Sequence, residues 1–403
     1  MNYSLAETAD EALGNAEQAF LHGNLSAADL LCHYVLASYP DHPRALGIRS
    51  LLASRLGLAE NGSTWLQSGA HPNVPRFLLI KAWGQGFWSD MCHVMASLLV
   101  AEITDRIPVV QWGGNSLFHC GGGGGGDAFR HYWDPVSRSD LEDVVSAASS
   151  GVFPAKWRAD NLEQNDFEKW AGPCSRLGAI HFLNRPEPVA VTDFYASLVD
   201  VAPWIPTGHA MHGAPLDEIY RYVADLYLRP AQAVRQRVEA FRAEYLAGHD
   251  VLGVHIRGSD KETEFHALEL LNRQYFDLLD AESPLTKFFV LTDDARWLAA
   301  LRQRYGDRII YTPSQRTTSL TGVHNLPDVD RLALGMEVMT DTHLALSCDR
   351  FVGNGRSNLS NIVFLLKPWA PDACRTFEPP TLFWRNAYIH LPQGGGVWGF
   401  GAP

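Results

Sequence analysis

Residues 251 to 254, Val-Leu-Gly-Val, form an apolar run that gives way abruptly to His255-Ile256-Arg257-Gly258-Ser259-Asp260-Lys261-Glu262-Thr263-Glu264-Phe265-His266. The apolar part fits a strand buried on both faces of a parallel sheet, and such sheets bind ligands at the carboxyl ends of their strands. His255, Arg257, Asp260, Lys261 and Glu264 are therefore expected to emerge together at one cleft. An arginine fork suits a diphosphate, and a nearby glutamate suits removal of a proton from an acceptor hydroxyl. The plainer alternative is a strand end followed by a solvated charged turn.

Two further carboxylate pairs stand where chemistry is possible. Asp293-Asp294 closes the apolar run Phe288-Phe289-Val290-Leu291, and Asp328-Val329-Asp330 precedes a long helical pattern. Either could be read as a metal-binding pair, but carboxylates before a helix also cap its free N–H groups and complement its dipole. For 328–330 capping is the expected role. For Asp293 and Asp294 both readings stay open. The six glycines Gly121–Gly126 lead into Asp127-Ala128-Phe129-Arg130 without the Lys-Ser/Thr of a phosphate loop, so a flexible loop able to close over a ligand is expected.

Positioning these side chains requires alternating strands and helices. A strand at 77–83, a turn at Gly84-Gln85-Gly86, a helix through Cys92–Ile103 and a strand at 107–112 make one βαβ unit. Residues 130–215, rich in tryptophan and proline, read as an irregular lobe shaping an acceptor site. Helices over 216–247 then bridge to a second α/β half. Its strands are expected at 251–254, 287–294, 308–311 and 350–353, with helices at 295–305 and 328–346. Asn354-Gly355-Arg356-Ser357-Asn358 opens a further helix, a place where free N–H groups and the dipole favour phosphate. The expected fold is α/β and GT-B-like, two Rossmann-type halves facing a cleft. Before them, residues 16–46 show two amphipathic helices and the start of a third, with Ala19, Gly23 and Ala27 allowing close approach and Pro40 and Pro43 punctuating the turn. This spacing resembles a tetratricopeptide repeat. The expected division is a helical segment at 1–70, an acceptor-side domain at 71–247 and a nucleotide-sugar domain at 248–403.

Composition narrows the functional classes. A net charge of −12 argues against a nucleic-acid or anionic-membrane partner, so a phosphate ligand needs a local cationic site. No run reaches the roughly 18–20 apolar residues of a membrane helix, and Met1–Glu7 shows no signal-peptide pattern, so a cytoplasmic location is expected. The six cysteines are scattered without a C-x-x-C pair and read as buried thiols.

Gly253–Lys261 followed by Glu264-Phe265-His266 resembles the peptide motif of the α-1,6-fucosyltransferases, the family of the core N-glycan and Nod-factor enzymes. Leu291-Thr292-Asp293-Asp294, His324-Asn325, Asp341-Thr342-His343 and Asp349-Arg350-Phe351-Val352 follow in that family's order, so the resemblance covers roughly residues 250–365. It implies an inverting enzyme, without metal or cofactor, that moves fucose from GDP-fucose to a glycan hydroxyl. It further implies that Arg257 holds the β-phosphate, His255 and Asp341 contact guanine, and Lys261, Arg356, Ser357 and Asn358 complete the donor site. Guanine's two donors on one edge suit the Asp341 carboxylate. Glu264 corresponds to the catalytic base, with Asp260 and Glu262 as the other candidates. The family's second arginine is Gly258 here, and the segment between Lys261 and Phe265 is two residues shorter. Two other readings are a glycosyltransferase with a different nucleotide-sugar donor, and a non-catalytic repeat-type binding protein. Residues 1–60 are the candidate surface for a homodimer or protein partner.

Overall fold

The computed structural model describes residues 9–21, 24–39, 75–119, 126–153, 157–164, 187–202 except 194, 205–264 and 268–383, with shorter pieces of 42–52 and of 386–400. The glycines at 121–125, the prolines at 40 and 43, and the residues at 265–267 lie outside this set.

The chain starts with a helical hairpin, α1 (Ala9–Leu21) and α2 (Leu25–Ser38). Alanines line its contact: Ala12, Ala16, Ala19, Ala27 and Ala28 are buried, which lets the two backbones approach closely. Asn24 caps α2 by accepting the Ala27 N–H at 3.2 Å. The wholly buried Asp29 is held between His33 at 2.9 Å and Arg49 at 3.3 Å, which offsets the desolvation of its charge. The continuation of the expected repeat, residues 53–74, lies outside the described residues.

Two parallel sheets follow. The first contains β1 (Phe77–Lys81), β2 (Ile107–Gln111), β3 (Val152–Phe153) and β4 (Val189–Thr192) in the order β2-β1-β4-β3. The helix α3 (Phe87–Ile103) connects β1 to β2, and α4 (Leu141–Ala148) precedes β3. All five residues of β1 are buried, as expected of a central parallel strand. The region 130–215 is more regular than its composition suggested. It supplies β4, which pairs with β1 from Phe77↔Val189 to Ile80↔Thr192, and α4, closed by a capping box between Asp140 and Asp143. A four-residue strand preceded by two prolines shows no period long enough to be seen locally.

Helices α5 (Leu216–Tyr227) and α6 (Gln232–Phe241) bridge to the second sheet and are separated by Pro230, which cannot continue a helix. That sheet is built from β5 (Val251–Ile256), β6 (Lys287–Thr292), β7 (Ile309–Ile310), β8 (Arg350–Gly353) and β9 (Cys374–Thr376) in the order β7-β6-β5-β8-β9. Between them run α7 (Leu268–Asp280), α8 (Ala295–Tyr305), α9 (Arg331–Ser347) and α10 (Asn358–Leu366). The strand β5 is central and runs two residues further than its apolar run, because Tyr275 donates to the His255 carbonyl at 2.6 Å and buries the strand end.

The hydrophobic cores do not divide as the sheets do. The largest apolar cluster joins α3 and α5 to Leu334, Met336 and Met339 of α9 and to Ile362 and Leu365 of α10. Trp88 of α3 donates its indole N–H to Thr342 at 2.8 Å, and Gly335 lies against Tyr132 so closely that no Cβ fits. Helices of the second α/β half are thus packed into the first. Among the described residues no helix is long and apolar enough to cross a membrane. Cys32, Cys92 and Cys348 are buried free thiols and Cys374 is partly exposed, while Cys120 and Cys174 lie outside the described residues.

Candidate active site

Strand ends, two helix starts and one long helix converge on a cleft of about 320 Å³. Its floor is the carboxyl end of β5 and β6, where parallel register sets His255 beside Leu291 and Ile256 beside Thr292. Arg257 and Asp293, the next residues on each chain segment, therefore meet. The Arg257 guanidinium pairs with Asp293, bonds Asp260 at 2.5 Å and donates to the Ser259 hydroxyl at 3.2 Å. Its own carbonyl accepts from Asn272 at 2.8 Å, which ties the turn to α7. Ser259 sits at a positive φ of 50°, and its hydroxyl also donates to Asp293. The turn after β5 is thus folded around one cation held by two carboxylates.

Gly258 is required by packing. A Cβ here would lie 2.7 Å from the Asp294 side chain, which is fully buried. Asp294 caps α8 through the Arg296 N–H at 2.8 Å and grips the Arg296 guanidinium at 2.5 Å. That guanidinium reaches on to Glu262 at 3.1 Å, and Asp294 and Glu262 together raise its pKa. Asp293 and Asp294 therefore part company: the first lines the cleft and the second is a helix cap. Asp330 caps α9 through the Ala333 N–H at 2.9 Å, the capping role expected of that pair.

On one side of the cleft, Asp341 of α9 accepts from the Thr312 hydroxyl at 2.5 Å and from the Ser314 hydroxyl at 3.1 Å. Burial outweighs these bonds and pushes its carboxyl up to about 6. Four residues earlier, Glu337 accepts the Gln315 N–H at 2.8 Å. One helix face thus holds the whole 312–315 loop with two carboxylates. His255 bonds Ser360 of α10 through Nδ1 at 2.6 Å, and burial, with Arg257 nearby, pushes it down to about 3, so it is neutral. Because the Ser360 Oγ already accepts the Asn354 N–H at 3.0 Å, its hydrogen can go to Nδ1, leaving Nε2–H as a donor.

On the other side, Arg356, Ser357 and Asn358 lead into α10. The Arg356 N–H is fixed by the Asn354 side chain at 2.9 Å, and Arg356 lies 3.6 Å from Glu378. Gly355 packs against the Glu378 and Pro379 carbonyls with no room for a Cβ. Ser357 begins the helix with its side chain making no capping bond, so the first free N–H groups face an anion-favouring end. A second helix start, Gly86 at the head of α3, lines the same cleft from the first sheet. His324 also faces the cleft and is pushed down by burial.

Of the residues singled out in the sequence, His255, Arg257, Asp260, Lys261, Asp341, Arg356, Ser357 and Asn358 all line this one cleft. Glu264 falls in the short helical turn 261–264 with its side chain outside the described set. Sequence reading overlooked Gln315, Glu337, Ser314 and Thr312. Only Glu337 carried a signal, its four-residue spacing from Asp341. His343 points away, against Trp133, and burial pushes it down to about 4.

No protein-family model matches the chain. Among solved structures it is similar to NodZ alpha-1,6-fucosyltransferase co-crystallized with GDP, at 20% identity and a TM-score of 0.49 over 73% of this chain and 93% of that one. It is similar to fucosyltransferase NodZ from Bradyrhizobium at 20% identity and a TM-score of 0.48, over 73% and 94%. To POFUT1 in complex with GDP-fucose it is similar at 13% identity and a TM-score of 0.43, over 77% of this chain and all of that one.

Proposed function

We propose that this chain is an inverting, metal-independent glycosyltransferase that moves fucose from GDP-fucose to a hydroxyl of a glycan acceptor. The observation that carries the reading is the convergence on one cleft of residues far apart in sequence: Arg257 and Lys261 after β5, Asp341 on α9, and Arg356 with Ser357 at the start of α10. Each offers what one part of a nucleotide sugar needs. Arg257, Arg356 and the α10 N–H groups meet the diphosphate, while Asp341 and the His255 Nε2–H meet a base edge bearing both donors and an acceptor. The order of motifs from Gly253 to Val352, which resembles that of the α-1,6-fucosyltransferases, supports GDP-fucose among nucleotide sugars.

In the reaction the acceptor hydroxyl oxygen attacks C1 of the sugar from the face opposite the phosphate. The C1–O bond to the β-phosphate breaks, and its electron pair leaves on GDP. Arg257 and the α10 N-terminus stabilise the charge that gathers on the leaving oxygen. A carboxylate takes the acceptor proton, and Glu264 is the residue assigned this role. Glu262 is held by Arg296, and Asp260 is engaged by Arg257 and Ser259. The test is transfer from a panel of sugar nucleotides with Glu264→Gln and Arg257→Ala. Glu264→Gln is expected to lose transfer and keep GDP binding, and Arg257→Ala to lose both. GDP-fucose neither bound nor turned over by the wild-type chain overturns the proposal.

A further inference from the structure

The two carboxylates on the cleft face of α9 are not equivalent. Each oxygen of Asp341 already accepts a hydroxyl hydrogen, from Thr312 and Ser314, whereas Glu337 spends one oxygen on the Gln315 N–H at 2.8 Å. Among the described residues its other oxygen has only the long contact from the Gln315 side-chain amide at 3.5 Å. Glu337 and Gln315 line the cleft together with Asp341 and Val338, one helical turn apart on the same face.

We infer that Glu337 is a specificity-determining residue which reads the exocyclic 2-amino group of a guanine base through the oxygen not committed to the Gln315 backbone. This rests on the proposed use of a guanine nucleotide. A guanine edge presents two donor groups side by side, a ring N–H and an adjacent amino group with two hydrogens. The buried Asp341 takes the ring N–H. The amino group beside it is then left to the carboxylate one helical turn away on the same cleft face, Glu337. Hypoxanthine keeps the ring N–H and carbonyl but lacks the amino group, so the contact to Glu337 is the feature separating the two bases. Gln315 acts as a positioning residue, since its backbone N–H orients the Glu337 carboxylate.

GDP and inosine diphosphate separate this role from a structural one. The intact chain is expected to bind GDP about tenfold to a hundredfold more tightly, the range for one hydrogen bond to a charged group. Glu337→Gln keeps an acceptor for the Gln315 N–H but turns an amide N–H toward the base. It is expected to lose most of the GDP affinity advantage while binding inosine diphosphate as before. Glu337→Ala should give the same collapse of the ratio with a lower Tm, because the 312–315 loop loses its anchor. A GDP-to-inosine diphosphate ratio left unchanged by both substitutions overturns the inference and leaves the guanine reading standing. Binding of neither nucleotide to the intact chain sinks that reading and the inference with it.

Discussion

Asp341→Asn should make the free protein more stable and the nucleotide complex weaker. The Asp341 carboxyl is pushed from 3.8 to about 6 by burial, against the bonds from Thr312 and Ser314. A shift of about two units corresponds to about 3 kcal/mol against the charged form at neutral pH. An amide removes that charge while its oxygen keeps one hydroxyl donor, and its N–H₂ can donate to the other hydroxyl oxygen. Allowing about 1 kcal/mol for imperfect re-pairing, the variant should gain about 1–2 kcal/mol near neutral pH. The pH dependence has a definite sign. A carboxyl with a folded pKa above its unfolded value binds its proton more tightly in the native state. Its contribution to stability therefore falls as pH rises from about 4 to about 6 and stays low above that. The variant should lack this decline. GDP affinity should drop about tenfold to a hundredfold, because a base donor loses a charged acceptor. Denaturant unfolding across this pH range and calorimetric titration with GDP provide the measurements. A variant less stable than the parent at neutral pH, or one binding GDP equally well, refutes the reasoning.

Other expectations follow from the same geometry. Gly258→Ala should cost about 1–3 kcal/mol in unfolding experiments, since its Cβ would meet the buried Asp294 at 2.7 Å; a neutral effect would mean that this turn is not packed as described. Arg257→Ala should abolish measurable GDP binding, and retained affinity would remove this residue from the phosphate site. Glu262→Gln should leave transfer within a few-fold of the parent because Arg296 holds its carboxylate at 3.1 Å; loss of transfer would return it to the role of base. Trp88→Phe removes the indole bond to Thr342 and should lower stability by about 1 kcal/mol, with an unchanged Tm arguing against that contact between the two α/β halves.

What was legible in the chain was legible because it was local. The first four residues of β5 and the charged turn after them announce themselves, since burial on both faces demands an unbroken apolar run and a strand end releases it. The cap at Asp330 follows equally from position, as does the start of α10 at Ser357, whereas the pair Asp293-Asp294 left capping and cleft roles open until the fold gave the cap to Asp294. The four-residue β4 was missed because a strand that short owes its conformation to pairing with β1, not to its own sequence pattern.

The site shows the same division. Residue types nominated Arg257, Asp341 and Ser357, but their meeting in one cleft depends on the β5–β6 register and on α9 packing into the first core. Gly258 could be seen from sequence alone only as a missing cation. Its environment shows why a side chain is excluded: the space belongs to Asp294, which in turn holds Arg296 and, through it, Glu262. Sequence can state which groups are able to bind phosphate, accept a base's hydrogens or cap a helix, because those are properties of single side chains and their neighbours. Which carboxylate is spent on an arginine, which is buried until its pKa rises, and which is left to face a ligand are properties of distance and desolvation, and these exist only once segments far apart in the chain have packed together.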